Sequence, residues 1–323
     1  MSKEKKTKIN INSIIAKAQA AYGKKETGLA QQLASGSTIS RPKDESDFVV
    51  WTRGTHWRSL TGLHGLPYGR IVQIAGKPDS GKSTHASVFM KEAQDQNVVV
   101  VLWDSEKKFS KVRFEKMGGQ PDELLTVNTN NIINGIKGVA HFVHAIKEAD
   151  PEQKILVVWD SVGGSVNSSE DNEENEDYSK QPGISAKETS FAVRKLNKLI
   201  NQYIDKENGK DSIAVLLINQ TYSSIGMGAP TQIEKGGVEV TYLSSLILQL
   251  SRKGDLTRTK AGEKYKYGIV SRAKVRKNHL GEDMETIAEM DIVVSADGIQ
   301  LAKDVKSHSD IKGWGDEDSG DEE

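Results

Sequence analysis

Eight consecutive residues, Gly76-Lys77-Pro78-Asp79-Ser80-Gly81-Lys82-Ser83, match the pattern G-x4-G-K-[ST] without a mismatch. Residues of these types at this spacing hold phosphate. Glycines let the backbone wrap closely enough for its N–H groups to point at phosphate oxygens. A helix opening straight after the loop adds positive potential. Lys82 is placed to neutralise β- and γ-phosphates, Ser83 to ligate Mg²⁺, and Thr84 follows in the same turn. The chemistry expected is binding and hydrolysis of ATP with Mg²⁺.

Three further segments supply what such a loop needs. Asp160 closes the apolar run 155–159, where a carboxylate holds the Mg²⁺ shell; an aspartate there also makes a good helix N-cap. Glu106 follows Trp103-Asp104-Ser105 just beyond another apolar run. A carboxylate there orients and deprotonates the attacking water, with Asp104 as a rival. Asn219-Gln220 closes the run 213–218, where an amide can sense a γ-phosphate and pass its presence onward. The segment that follows, 221–235 (TYSSIGMGAPTQIEK), has three Gly/Pro residues and little apolar content, and reads as a mobile loop. Lys235, Gly236 and Gly237 at its end suit phosphate, and Tyr222, Ile225 or Met227 suit stacking on bases. Thr221 opens the same segment. The plainer reading is a surface loop without a ligand.

The elements that must position these groups alternate. Strands are expected at 70–75, 98–103, 155–159, 213–218, 246–250 and 267–275, and helices at 83–94, 132–149 and 185–204. The unbroken apolar character of VVVVLW at 98–103 is that of a strand covered on both faces. Alternation of this kind predicts an α/β fold: a mostly parallel twisted sheet with helices on both faces. Ligands in such sheets bind outside the carboxyl ends of the strands. Ahead of this core, Ile11, Ile14, Ile15 and Ala18 fall at helical spacing among lysines. A polar stretch at 23–46 reads as a linker. The expected organisation is a basic N-terminal helix and linker over 1–46, an ATPase core over 47–302 and an acidic tail over 303–323.

Composition narrows the class. No run approaches the ~20 apolar residues of a membrane helix, and the N-terminus lacks the apolar stretch of a secretory signal. With no cysteines among 323 residues, disulfides and thiolate metal sites are excluded, and a reducing cytoplasm is the expected location. The net charge of −1 conceals opposed patches. Residues 252–277 hold ten Lys/Arg and two acids, whereas 169–177 and 315–323 each hold six acids in nine residues. A basic patch suits a polyanion such as nucleic acid.

Taken in order, these segments resemble the RecA family of recombinases, including the phage UvsX type. The resemblance rests on Gly65-Leu66-Pro67-Tyr68-Gly69-Arg70-Ile71-Val72, the phosphate loop, Glu106, Phe114-Glu115-Lys116-Met117-Gly118 and Val157-Val158-Trp159-Asp160-Ser161-Val162. It continues through Leu217-Ile218-Asn219-Gln220, Gly236-Gly237 and Val275-Arg276-Lys277-Asn278. It covers roughly residues 50–300.

The resemblance implies a helical filament on single-stranded DNA with ATP between neighbouring subunits. It implies two DNA-binding loops, after Asp160 and between Gln220 and Gly237. Glu106 would be the catalytic glutamate, Gln220 would couple ATP to the second loop, and Lys277 would reach the neighbouring subunit's phosphates. The N-terminal helix and Tyr242 would lie at the subunit contact. The activity implied is pairing and strand exchange with double-stranded DNA, driven by ATP and Mg²⁺, alongside single-strand-binding or mediator proteins.

The chain departs from the family pattern in four places. His279 stands where a second lysine is common, and residues 169–177 make the first loop acidic. Arg113, with Phe114 beside it, takes the place of the aromatic residue expected on adenine. Little chain follows residue 300, so the extra C-terminal domain of bacterial RecA is not expected. The acidic first loop and His279 give weight to a RecA-like regulator that binds nucleotide or DNA without strand exchange. A hexameric RecA-core helicase is a further alternative.

Overall fold

The computed structural model describes residues 47–52, 56–167, 183–204, 210–223, 232–260, 262–280, 286–287, 289–296 and 298–302. The expected N-terminal helix with Ile11, Ile14 and Ile15, the acidic segment 169–177, Ile225, Met227 and the acidic tail lie outside the described residues. One compact unit, formed by 45–204 and 211–323, carries every site discussed below.

In chain order the elements are Phe48–Val50 (β1), His56–Thr61 (α1), Gly65–Pro67 (β2), Ile71–Gly76 (β3), Lys82–Asp95 (α2) and Val99–Asp104 (β4). Lys111–Lys116 (α3), Leu125–Val127 (β5), Ile132–Ala149 (α4), Ile155–Asp160 (β6), Ile184–Gln202 (α5) and Ile213–Ser223 (β7) follow. The chain then forms Gln232–Glu234 (β8), Val238–Leu243 (α6), Ser244–Lys260 (β9), Glu263–Asn278 (β10), Glu289–Ser295 (β11) and Gly298–Leu301 (β12).

The main sheet runs β5-β4-β6-β7-β3-β9 with every neighbouring pair parallel. From β9 outward, β10, β11 and β12 are antiparallel. Strand side chains alternate between the two faces. On one face Val100, Leu102, Leu156, Val158, Leu216 and Ile74 join Phe89 and Met90 of α2. On the other, Val101, Trp103, Val157, Trp159, Val215 and Leu217 join the apolar sides of α4 and α5. Each central strand therefore needs apolar residues at every position, which is why the sequence shows runs rather than alternation.

Trp103 and Trp159 stack on that second face, ring centroids 4.0 Å apart and planes 10° off parallel. Their indole N–H groups donate to Thr129 O at 2.7 Å and Ser165 Oγ at 2.9 Å. Gly135 of α4 lies against Trp103, and a Cβ there would fall 1.9 Å from the ring. The pair thus braces the ends of β4 and β6, beneath Asp104 and Asp160.

Two expectations change. The strand expected at 213–218 continues to Ser223, and its last three residues pair with β8. Both ends of the expected loop 221–235 are therefore ordered as a ladder. The short strands expected at 246–250 and 267–275 are the inner parts of β9 and β10, with 17 and 16 residues. Their outer parts carry alternating polar side chains and lack the apolar run that marks a buried strand. Among the described residues, no helix is long and apolar enough to cross a membrane.

Candidate nucleotide site

The phosphate loop joins β3 to α2 at the carboxyl end of the sheet's centre, flanked by β7 and β9. Its shape needs its glycines. Gly81 has φ +95°, and a Cβ on Gly76 would lie 2.4 Å from the Leu250 carbonyl oxygen. Asp79 also takes a positive φ, 56°, in a region that aspartate enters more readily than most residues. Ser80 is buried and donates to Lys77 O at 2.8 Å, while Ser271 Oγ donates to Ser80 O at 3.0 Å. The antiparallel extension thus steadies the loop from behind.

Lys82 is buried, and its ammonium donates to Lys77 O at 2.7 Å. Burial lowers its pKa, while the charges of Asp160, Glu106 and Asp79 pull the other way. Such an ammonium is poised to exchange a carbonyl for phosphate oxygens. Asp160, half-buried at the end of β6, is pushed up to about 6, first by desolvation. A hydrogen bond from Ser83 opposes that shift, and the charges of Glu106 and Asp104 add to it. Ser83 and Asp160 already touch, in a place where a cation would relieve a crowded carboxylate. This donor set fits Mg²⁺, which keeps several waters and takes few protein oxygens.

Glu106 follows β4 and is engaged at both oxygens. Oε1 accepts from the Ser161 hydroxyl and from Gln220 Nε2 at 2.7 Å, and Oε2 accepts from Lys108 Nζ at 2.5 Å. Burial alone raises its pKa, but these hydrogen bonds outweigh that and hold it below the ordinary carboxylate value. Asp104 is not a free rival. Its buried carboxylate accepts from the backbone N–H groups of Lys108 at 3.2 Å and Phe109 at 3.0 Å, so it shapes the loop that carries Glu106. The ends of β4 and β6 are tied by Ser105, whose Oγ donates to Ser161 O at 2.8 Å and accepts from Ser161 N at 2.9 Å. Gly164 makes room for Glu106: a Cβ there would lie 2.2 Å from its Cγ.

Pro78, Asp79, Lys82, Ser83, Glu106 and Asp160 line one cleft of about 270 Å³ with Lys108, Arg113 and Gln220. Arg113 is anchored there by donating to Thr84 Oγ1 at 2.8 Å and Ser295 O at 3.3 Å. Phe114 is a correction. It is fully buried in the core beside Phe109, so it has no face to offer a base. Thr84 is buried and serves as Arg113's acceptor.

Gln220 connects this cleft to the segment beyond it. Its carbonyl accepts from Lys235 N at 3.1 Å, and Asn219 Nδ2 donates to Lys235 O at 2.8 Å. Lys235 Nζ reaches Gly163 O at 3.1 Å, so the bases of both expected DNA loops meet. Gly236 and Gly237 take positive φ, 97° and 81°. A second cleft of about 810 Å³ opens here, lined by Gly163, Tyr222, Lys235, Gly236, Gly237 and Arg276 among others. Thr221 is buried and Tyr222 is 48% exposed, so of these two only Tyr222 can meet a ligand.

Lys277 and Tyr242 lie elsewhere. Lys277 is paired with Ile247, toward the amino ends of the parallel strands, and does not line the nucleotide cleft. Its ammonium donates to Thr241 O at 2.8 Å and Tyr242 O at 3.0 Å, at the end of α6. The Tyr242 side chain is 76% exposed.

Sequence reasoning gave Ser161, Lys108 and Gly164 no role of their own. Ser161 stands in a motif already quoted, next to Asp160. Gly164 carries no signal until the fold brings β4 and β6 side by side, and Lys108, two residues from Glu106, none until the loop after β4 turns its side chain back.

Residues 36–300 match the family described as the RecA N-terminal domain. The chain belongs to the RecA family. Curated relatives named Protein RecA include those of Gloeothece citriformis, 29% identical over 253 residues (76% of this chain and 65% of the relative), and Rhodopseudomonas palustris, 30% identical over 275 residues (82% and 71%). That of Cytophaga hutchinsonii is 29% identical over 281 residues, 86% of this chain and 71% of the relative. The chain spans about two thirds of the length of the first two relatives it matches.

Proposed function

We propose that this chain is an ATP-dependent recombinase. It binds ATP with Mg²⁺, assembles as a helical filament on single-stranded DNA and pairs that strand with homologous duplex. Assembly stimulates hydrolysis, which releases the filament. The family membership, the names of the relatives and the geometry of the cleft all support this reading. One observation carries it: Gln220 hydrogen-bonds Glu106 in the nucleotide cleft while its own carbonyl holds Lys235 at the base of the second cleft. A side chain that feels the hydrolytic base thus lies on β7 itself, two residues before Tyr222, and its carbonyl holds Lys235 just beyond β8.

In this reading the loop N–H groups, Lys82 and Ser83 hold the phosphates, and Arg113 covers the nucleotide base with its guanidinium. Bound Mg²⁺, held by Ser83 and through Asp160, supplies charge neutralisation at the phosphates. Glu106, kept ionised by its donors, orients water and takes its proton. Lys235, Arg276 and the N–H groups of Gly236 and Gly237 meet DNA phosphates, and Tyr222 stacks on bases. Mediators, duplex DNA as the second substrate and a cytoplasmic setting follow from the same reading, as does the N-terminal arm over 1–46 as an oligomerisation element.

The test is ATP hydrolysis with and without single-stranded DNA at low and moderate salt. Strong stimulation that weakens with salt is expected. Nucleotide binding without any stimulation would overturn the recombinase reading in favour of a regulatory protein.

A further inference from the structure

Lys108 stands in none of the motifs on which the resemblance rests, yet its ammonium lies 2.5 Å from Glu106 Oε2. The other Glu106 oxygen is already taken by Ser161 and Gln220. With Lys108 in place, Oε1 holds two donors, and Oε2 shares its charge with the ammonium, which makes it a weaker acceptor for a water proton. The Lys108 backbone is pinned to Asp104 at 3.2 Å, but its side chain is 78% exposed and lines the same cleft as Lys82, Ser83 and Asp160. The charges that act on it are those of Glu106, Asp160 and Asp104. It is a flexible cation rooted on a fixed stem, facing carboxylates on the side where hydrolysis would occur.

We propose that Lys108 distinguishes a nucleoside triphosphate from a diphosphate. When a triphosphate fills the cleft, the ammonium leaves Glu106 Oε2 for the terminal phosphate and frees that oxygen for the attacking water. The driving force is charge: a terminal phosphate carries more negative charge and more acceptor oxygens than one carboxylate already shared with Ser161 and Gln220. A diphosphate lacks that group, so Lys108 stays on Glu106 and the base stays occupied. One lysine then couples the presence of the scissile group to the readiness of the base. The inference deepens the nucleotide reading above and rests on it.

The test is equilibrium binding, without DNA, of a non-hydrolysable ATP analogue and of ADP, each with Mg²⁺, to the unaltered chain, Lys108→Ala and Lys108→Arg. Lys108→Ala is expected to lose about tenfold in affinity for the analogue and less than about twofold for ADP. Lys108→Arg should recover most of the loss. ADP binding doubles as the control for folding. Equal losses for both nucleotides, or no loss for either, would overturn the role of Lys108. Failure of the unaltered chain to bind ADP would overturn the nucleotide reading itself.

Discussion

Two residues at or beside the nucleotide cleft carry consequences that their types alone do not reveal. Gly164 is one, because a methyl group there would collide with Glu106 Cγ at 2.2 Å. Gly164→Ala should push the carboxylate off its donors while leaving the phosphate loop untouched. We expect a loss in kcat of at least roughly a hundredfold, the range for a displaced general base, with nucleotide affinity nearly unchanged. Steady-state kinetics beside a binding titration checks this, and parallel losses in both would show wider damage. Asp160 is the other. Its raised pKa, about 6, means the folded chain takes up a proton that the unfolded chain does not between pH 3.8 and 6. Its contribution is therefore most favourable below 3.8 and is lost as pH rises through 6. At pH 7.5 without nucleotide, Asp160→Asn should stabilise the chain by about 1–2 kcal/mol, discounted for partial exposure. That gain should vanish near pH 4 while Mg²⁺-dependent hydrolysis is lost. Denaturant midpoints at the two pH values decide it.

Among the elements, α2 is both the phosphate helix and the carrier of a buried histidine. His85 packs edge-on against His56 of α1, with ring centroids 5.5 Å apart, and Trp51 contacts both. Neither Nε2 has a hydrogen-bond partner among the described residues. Burial pushes His85 down to about 4 and His56 well below its ordinary value, with the charge of His85 adding to the latter shift. The folded chain resists protons that the unfolded chain accepts below pH 6.5. Stability is present above that value and is lost as pH falls toward 4. Between pH 7.5 and 5 we expect roughly 2 kcal/mol of this loss to trace to the pair. The double variant His56→Phe, His85→Phe should flatten the acid limb of the denaturation midpoint, and an unaltered limb would remove the pair from the cause. None of this is visible in the sequence, where the two histidines stand 29 residues apart. The central elements were legible because burial on both faces leaves an apolar run, as in β4 and β6, and because the phosphate loop fixes where β3 ends and α2 begins. The outer halves of β9 and β10 were not, since a strand facing water on both sides leaves no such run. Asp160 at a strand end and Glu106 just past one were legible because apolar runs precede them. The contacts of Ser161 and Gln220 with Glu106 were not, because only the order β4-β6-β7 brings them together, and that of Lys108 was not, because only the turn of the loop after β4 brings its side chain back.

For the whole molecule, the placement of two lysines makes a shared site between neighbouring subunits testable. Lys82 serves the cleft at the carboxyl end of β3, while Lys277 sits toward the opposite ends of the strands, tethered to the backbone of Thr241 and Tyr242. Burial lowers the Lys277 pKa, and no acidic side chain is among the causes. A cation held by carbonyls beside the exposed Tyr242 is suited to an incoming polyanion. If it serves a neighbouring subunit's phosphates, each working site needs Lys82 from one chain and Lys277 from the next. Lys82→Ala and Lys277→Ala should then each be inactive alone. Mixing the two in equal amounts should restore activity, because a Lys277→Ala chain followed by a Lys82→Ala chain rebuilds an intact junction. Random assembly places such junctions at about a quarter of the interfaces, which sets the scale of the recovery in an ATPase assay with single-stranded DNA. A mixture no more active than its parts would confine Lys277 to its own chain, where its geometry gives it a structural task only: closing the end of α6.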